Sequence, residues 1–395
     1  MTPVSDLDPF SPEFRADPFP RYAELRAAGP IVWLERYGIW AVSQFEPVRA
    51  VLNDWQNFSN AGGGGLANYF LEPPWRPPSI ILEVDPPAHT KTRTVLSRIL
   101  SPAALKHLRT RFETEAASLV DRVLDRGTID AVPELAQVFP LTVFADAVGL
   151  PKDEDRTNLL LYGAMVFGAF GPKNQWHAEL MSHADTVGPW IAERCQRSFL
   201  SPDGFGAAIY RAADAGEITE GEAALLVRSF LSAGVDTTID SIGLALRCLA
   251  EAPEQWRLLA EQPQLGRAAF EEATRFDSSS QSLFRTTMDE VEFAGVRLAK
   301  HAKVMVFLGA ANRDPTVWEN PDRFDITRRT TGHVGYGVGV HGCVAQMVAR
   351  MEGEVLLTAL ARRTDALALA GAPKLRLTTG LRGLSTLPLE LRAKL

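Results

Sequence analysis

A chain of 395 residues with 46% apolar composition can bury a large core, and 41 Lys+Arg against 48 Asp+Glu leave a net charge of -7, which argues against a polyanion partner such as nucleic acid. Its three cysteines, Cys195, Cys248 and Cys343, are too few and too far apart for a disulfide scaffold or a zinc ribbon. The opening residues MTPVSDLDPF lack the basic and apolar run of a secretory leader, and no stretch approaches about eighteen consecutive apolar residues, so the expectation is a cytoplasmic protein that does not enter a membrane.

In chain order, residues 31–44 (IVWLERYGIWAVSQ) carry two apolar runs about a turn at Gly38 and read as a strand pair. The four glycines 62–65 predict a mobile loop, whereas Pro73, Pro74, Pro77 and Pro78 stiffen the segment around Trp75 and Arg76. Ser101-Pro102 opens a helix that Gly127 ends. Thr219 with Glu222 forms a capping box, and the helix it starts runs to Pro253, about 32 residues or roughly 48 Å. Between Leu225 and Cys248 its only charges are Arg228, Asp236, Asp240 and Arg247, so most of its circumference is expected to be buried. Gly234 costs about 1 kcal/mol there and the Thr237-Thr238 pair can bend the helix, a distortion that close packing or a ligand would explain. Further strands are expected near 289–308 and 365–392. The fold class is mainly α with small β-sheets, in one domain spanning 1–395.

The segment 332–363 turns through glycines before an apolar periodicity begins a helix, which puts Cys343 at a helix N-terminus. Free N–H groups there favour a thiolate, the form that binds metal. By itself such a cysteine is more often a small buried hydrophobe, and a zinc site with His333 and His341 lacks a fourth ligand.

The run YGVGVHGCVA, Tyr336 to Ala345, resembles the cysteine loop of the cytochrome P-450 haem-thiolate monooxygenases. Tyr336 and Ala345 depart from that pattern, in which phenylalanine and glycine are usual. AGVDTT (233–238), EATR (272–275), NPDRF (320–324) and HTKTR (89–93) match the family elsewhere, in its order. The resemblance covers most of the chain and implies the cytochrome P-450 fold, a long central helix over haem b, and use of O2 with electrons from NAD(P)H through a reductase. It implies Cys343 as the iron ligand; His89, Arg93, Arg285 and His341 around the haem propionates; and Tyr336, Ala233 and Gly234 against the haem. Glu272, Arg275 and Arg323 would brace the cysteine loop. Asp236 and Thr237 resemble the acid–alcohol pair that delivers protons to bound oxygen.

Ser229, Ser232, Ala233, Asp236 and Thr237 follow helical spacing and share a face, with Ser229 roughly 12 Å from Thr237. WRPPS (75–79), VFGAFGP (166–172) and VRSFLSAG (227–234) look like the bacterial subfamily that O-demethylates para-methoxybenzoate. That likeness implies a carboxylate held by Arg76, Ser79, Arg228 and Ser229, with Ser232, Phe167, Phe170 and Leu283 also lining the pocket. Ser279, Ser280 and Leu283 depart from the subfamily's proline, aliphatic residue and phenylalanine, which points to a wider or more polar pocket. With no dinucleotide fingerprint in the chain, a separate ferredoxin and ferredoxin reductase are implied, docking on a basic face of Lys91, Arg98, Arg328 and Arg329; a monomer is expected. The competing readings are a monooxygenase for a larger neutral secondary metabolite and a non-catalytic haem sensor.

Overall fold

A computed structural model of the chain describes residues 2–152 and 156–394, which are mainly helical with small sheets. Eight helices position the site: α1 Ala88–Ile99, α2 Pro102–Leu124, α3 Val138–Val148, α4 Thr157–Gly168, α5 Glu220–Ala233, α6 Asp236–Glu251, α7 Gly266–Phe276 and α8 Gln346–Arg363. As the sequence predicts, Ser101 caps α2 through the Ala104 N–H, with Pro102 in the first turn. At the start of α5, Thr219 Oγ1 accepts the Glu222 N–H at 3.2 Å while the Glu222 carboxylate accepts the Thr219 N–H at 2.7 Å.

The expected 32-residue helix is two helices, α5 and α6, interrupted at Gly234-Val235. A Cβ on Gly234 would strike the Phe144 ring of α3, so close packing accounts for the glycine. Thr237 Oγ1 takes the Ala233 carbonyl at 2.9 Å and Thr238 Oγ1 the Gly234 carbonyl at 3.4 Å, which satisfies acceptors that the break releases. Downstream, α6 buries both its apolar residues and its acids: Asp236, Ile239, Asp240, Ile242 and Leu246 are all inaccessible. The largest core cluster joins α2, α3, α5, α6, α7 and α8, and α8 packs along both α7 and α2.

Strands occupy the three regions expected. Val32–Leu34 and Ile39–Val42 pair across a turn in which Gly38 takes a left-handed φ of 59°, and they join a six-stranded sheet through the parallel strand Lys303–Phe307. That strand pairs antiparallel with Ser282–Thr287, the strand that carries Leu283 and Arg285. Toward the end of the chain, Thr364–Leu369, Lys374–Leu377, Arg382–Thr386 and Pro388–Ala393 form two small sheets.

The glycine run is not the free loop expected. Lys303, itself buried, donates to the Gly62 and Gly63 carbonyls at 3.2 and 2.9 Å, and the Leu66 N–H donates to the Phe170 carbonyl at 2.9 Å. Gly65 lies so close to the Phe170 backbone that a Cβ would clash with it. Glycine is required there for contact, and the segment becomes a strap between the sheet and the end of α4.

Candidate active site

A cavity of about 1500 Å3, mouth included, lies where the α5–α6 break, the cysteine loop, strand Ser282–Thr287 and the end of α4 meet. Of the three cysteines only Cys343 lines it; Cys195 and Cys248 are buried in the core. The Cys343 N–H donates to the Tyr336 carbonyl at 2.8 Å and the Gly342 N–H to Gly339 O at 3.1 Å, a turn that sets the sulfur at the start of α8. Burial raises the thiol pKa, opposed by the Ala345 and Gln346 N–H groups and by the charges of Arg93 and Arg350. The helix terminus thus acts in the predicted direction but is outweighed, and a bound cation would reverse the balance.

Four nitrogen-bearing side chains gather beside the loop. Arg285 is 3% exposed, its pKa is lowered to about 10 by burial, and its hydrogen bond goes to the neighbouring Phe284 carbonyl. Arg93 donates to the Gly342 carbonyl. The His89 and His341 rings lie 4.4 Å apart, and Asp85 orients His341 by holding its Nε2 at 2.9 Å. His89 Nε2 and His341 Nδ1 are buried without partners among the described residues. Burial, reinforced by His341 and Arg93, lowers the His89 pKa to about 4.

Ala233, Gly234 and Thr237 line the cavity, as predicted, but Asp236 does not. It points to the α4 backbone, where a Cβ on Gly163 would collide with its carboxylate, and both of its oxygens lack a hydrogen-bond partner among the described residues. Burial raises its pKa to about 7, with Asp240 adding and Arg376 opposing; Arg376 instead bonds Asp240 at 2.7 Å.

Farther along α5, Ser229 lines the cavity, and its Oγ lies 3.1 Å from that of Ser79. Phe167 and Phe170 stand 5.5 Å apart at 70° and line the same space, as does Leu283. Neither arginine expected here lines it. Arg76 faces the buried Glu83 at 3.4 Å, and Arg228 donates to the Pro77 and Pro78 carbonyls at 2.8 and 3.3 Å, so both charges brace the proline-rich segment behind Ser79. Ser232 turns back to the Ser229 carbonyl, a satisfied helix hydroxyl outside the cavity lining.

Beneath the loop, Glu272 and Arg275 form a wholly buried bidentate pair. The predicted third member is corrected: Arg323 is exposed and contributes only its carbonyl, whereas Arg328 reaches Glu272 at 3.1 Å. This removes Arg328 from the basic face. Lys91 and Arg98 are also paired, with Glu222 and Glu217, which leaves Arg329 exposed with no ion pair among the described residues.

The cytochrome P-450 family model matches residues 255–392. Over 390 residues the chain is 51% identical to cytochrome P-450 CYP199A2 of Rhodopseudomonas palustris, covering 98% of this chain and 94% of that protein. The chain belongs to the cytochrome P-450 family. It is also 30% identical to the 6-deoxyerythronolide B hydroxylase of Saccharopolyspora erythraea, over 99% of this chain and 100% of that one. The structure of cytochrome P-450 CREJ in complex with (4-ethylphenyl) dihydrogen phosphate superposes with a TM-score of 0.84 at 25% identity, covering 98% of this chain and 99% of that one.

As a P-450 the enzyme is a monooxygenase whose haem is ligated by a cysteine thiolate and receives electrons from a reductase. This cavity fits that group. It offers one thiolate, which suffices when a porphyrin supplies the remaining iron ligands, and a buried arginine and two histidines with unspent hydrogen-bonding capacity suited to acidic side groups. Sequence reasoning on this P-450 missed Asp85 and Glu83, which orient His341 and neutralise Arg76. It also missed Glu352 on α8, a fully buried cavity residue whose two carboxyl oxygens lack partners among the described residues and whose pKa burial raises well above the usual value. No local motif marks these acids. No helix among the described residues is long and apolar enough to cross a membrane.

Proposed function

We propose that this P-450 oxidises a para-substituted benzoate, converting 4-methoxybenzoate or a related lignin-derived methoxybenzoate to the corresponding 4-hydroxybenzoate and formaldehyde. The observation that carries the reading is the Ser229 hydroxyl at one end of a cavity walled by Phe167 and Phe170, backed at 3.1 Å by Ser79 Oγ, which lies just outside the lining. To receive the carboxylate, the Ser229 hydroxyl would turn from the Leu225 carbonyl, which it meets at 2.9 Å, and Ser79 would turn from Ser229; Arg76, paired with Glu83, and Arg228 hold the segment behind them, and Arg228 supplies positive potential without direct contact. Ser229 near the end of α5 and Thr237 at the start of α6 both line the cavity on either side of the break, so a benzoate seated at Ser229 directs its para group toward Thr237. The ligand of the CREJ structure, an aromatic ring with a phosphate at one end and an alkyl group opposite, is a molecule of the same kind.

Haem held by Cys343 supplies the O–O cleavage and oxidation. Arg93, Arg285, His89 and His341, gathered beside the cysteine loop, would seat it. Thr237 lines the cavity with its Oγ1 donating to the Ala233 carbonyl and able to accept from the cavity side, and Asp236, with a pKa near neutrality, would carry protons inward by swinging its carboxyl from the Gly163 face of α4 toward the cavity. One atom of O2 enters the methoxy carbon and the other leaves as water with two electrons and two protons; the resulting hemiacetal then expels formaldehyde. The electrons come from NAD(P)H through a ferredoxin reductase and a ferredoxin, and the enzyme works as a cytoplasmic monomer.

A second reading, hydroxylation of a larger neutral metabolite, draws on the neutralisation of Arg76 by Glu83. Titration of the ferric enzyme separates the two. With 4-methoxybenzoate the haem spin state should shift at least about tenfold more tightly than with its methyl ester; equal affinities overturn the benzoate reading in favour of the neutral one.

A further inference from the structure

One feature of the cavity is unused by the reaction just described. Ser241, Ser279 and Ser280 line it on the side of α6, one turn beyond Thr237, at the end opposite Ser229. Ser241 Oγ lies 2.7 Å from the Thr237 carbonyl and 3.0 Å from Ser279 Oγ. The Ser241 hydroxyl donates toward both the Thr237 carbonyl and Ser279 Oγ, which accept. Ser279 therefore keeps its own proton, with a lone pair beside it, for the cavity. Ser280 is half-buried, and no hydrogen bond to its hydroxyl occurs among the described residues, so it can both donate and accept.

The backbone beneath these hydroxyls is anchored. The Arg382 N–H donates to the Ser279 carbonyl at 2.7 Å, Ser280 forms a bridge with Leu381, and the buried Asp277 just before them is held by Arg382 at 2.8 Å and by Arg247. A polar pair fixed in this way is preorganised, and binding a ligand there loses little additional entropy.

We propose that Ser279 and Ser280 are specificity-determining residues that bind a phenolic hydroxyl on the ring carbon next to the reacting para substituent. The phenol donates to one of the two serine hydroxyls and accepts from the other, whereas an ether oxygen at that position can only accept. The preferred substrate class is therefore a benzoate carrying a free hydroxyl beside its para-alkoxy group. The proposal rests on the benzoate orientation, because only a carboxylate anchored at Ser229 places that ring position beside the shelf.

The test is a spin-state titration of the holoenzyme with three ligands: 4-methoxybenzoate, 3-hydroxy-4-methoxybenzoate and 3,4-dimethoxybenzoate. In the third, a methyl group removes the phenol proton at the same position. Wild-type enzyme should bind the hydroxy compound about tenfold more tightly than the dimethoxy compound, the worth of one or two good hydrogen bonds. In Ser279→Ala and in Ser280→Ala that ratio should fall toward one, with the ferrous carbon monoxide spectrum confirming intact haem ligation. A wild-type ratio near one, or a ratio unchanged in both variants, overturns the shelf. If 4-methoxybenzoate binds no better than its methyl ester, the benzoate reading itself fails, whatever the ratio shows.

Discussion

Asp236 shows how much one buried carboxyl carries. Its pKa is raised from 3.8 to about 7, chiefly by burial, so the folded chain holds a proton that the unfolded chain releases across that interval. The native state binds more protons there, and this group's contribution to stability is therefore present at low pH and is lost as pH rises toward 7. Asp240, raised to about 6, contributes with the same sign. Asp236→Asn keeps the shape and removes the ionisation. Thermal unfolding should then show a variant close to wild type below about pH 4 and increasingly more stable than wild type as pH rises to 7, with substrate turnover reduced by loss of the proposed proton carrier. Parallel pH profiles for the two proteins would refute the assignment. At this scale the sequence is readable where helical spacing sets the answer: Ser229, Ala233 and Thr237 do share the cavity face. It is not readable where a charge selects its partner across the fold. Arg328 rather than Arg323 meets Glu272, and Glu83 claims Arg76, because such pairings depend on distances that no local pattern encodes.

Among elements, the glycine strap and the α5–α6 break are the two places where local propensity misleads. Four glycines in a row have the composition of a flexible linker, and here they are the thin residues that let one segment touch Lys303 on one side and the end of α4 on the other. Burial lowers the Lys303 pKa to about 7, and three oxygens, the third being Thr286 Oγ1, hold its ammonium group. Gly65→Ala should push against the backbone of Phe170 and shift the aromatic wall. The expected cost is about 1–3 kcal/mol, read as a lower unfolding temperature, together with weaker binding of 4-methoxybenzoate. An alanine variant with unchanged stability and affinity would show the strap to be as loose as its composition implies. Helix caps, by contrast, were legible residue by residue: Ser101 and Thr219 act through neighbours three positions away, so sequence alone contains both partners.

For the whole molecule, the cavity divides the protein between what folding achieves and what the haem completes. The helix-rich class, the strand regions and the cysteine loop follow from period, turn chemistry and motif, while the buried ionic network under the loop emerges only when distant segments meet. Arg285 is the clearest sign of this division. It is a deeply buried cation with no carboxylate bonded to it, and such a charge destabilises the protein that carries it until an anion arrives. Replacing it should therefore have opposite effects in the two states. In haem-free protein, Arg285→Met should raise stability by about 1–4 kcal/mol, since an uncompensated buried charge becomes an apolar side chain of similar length. In haem-loaded protein the same change removes a partner of an acidic side group, so the melting temperature should drop below wild type and haem should pass faster to a scavenger protein. Unfolding curves of both forms, with and without haem, measure the crossover directly. If the variant is destabilised equally in both states, Arg285 supports the sheet rather than the haem, and the seating of the cofactor falls to Arg93, His89 and His341.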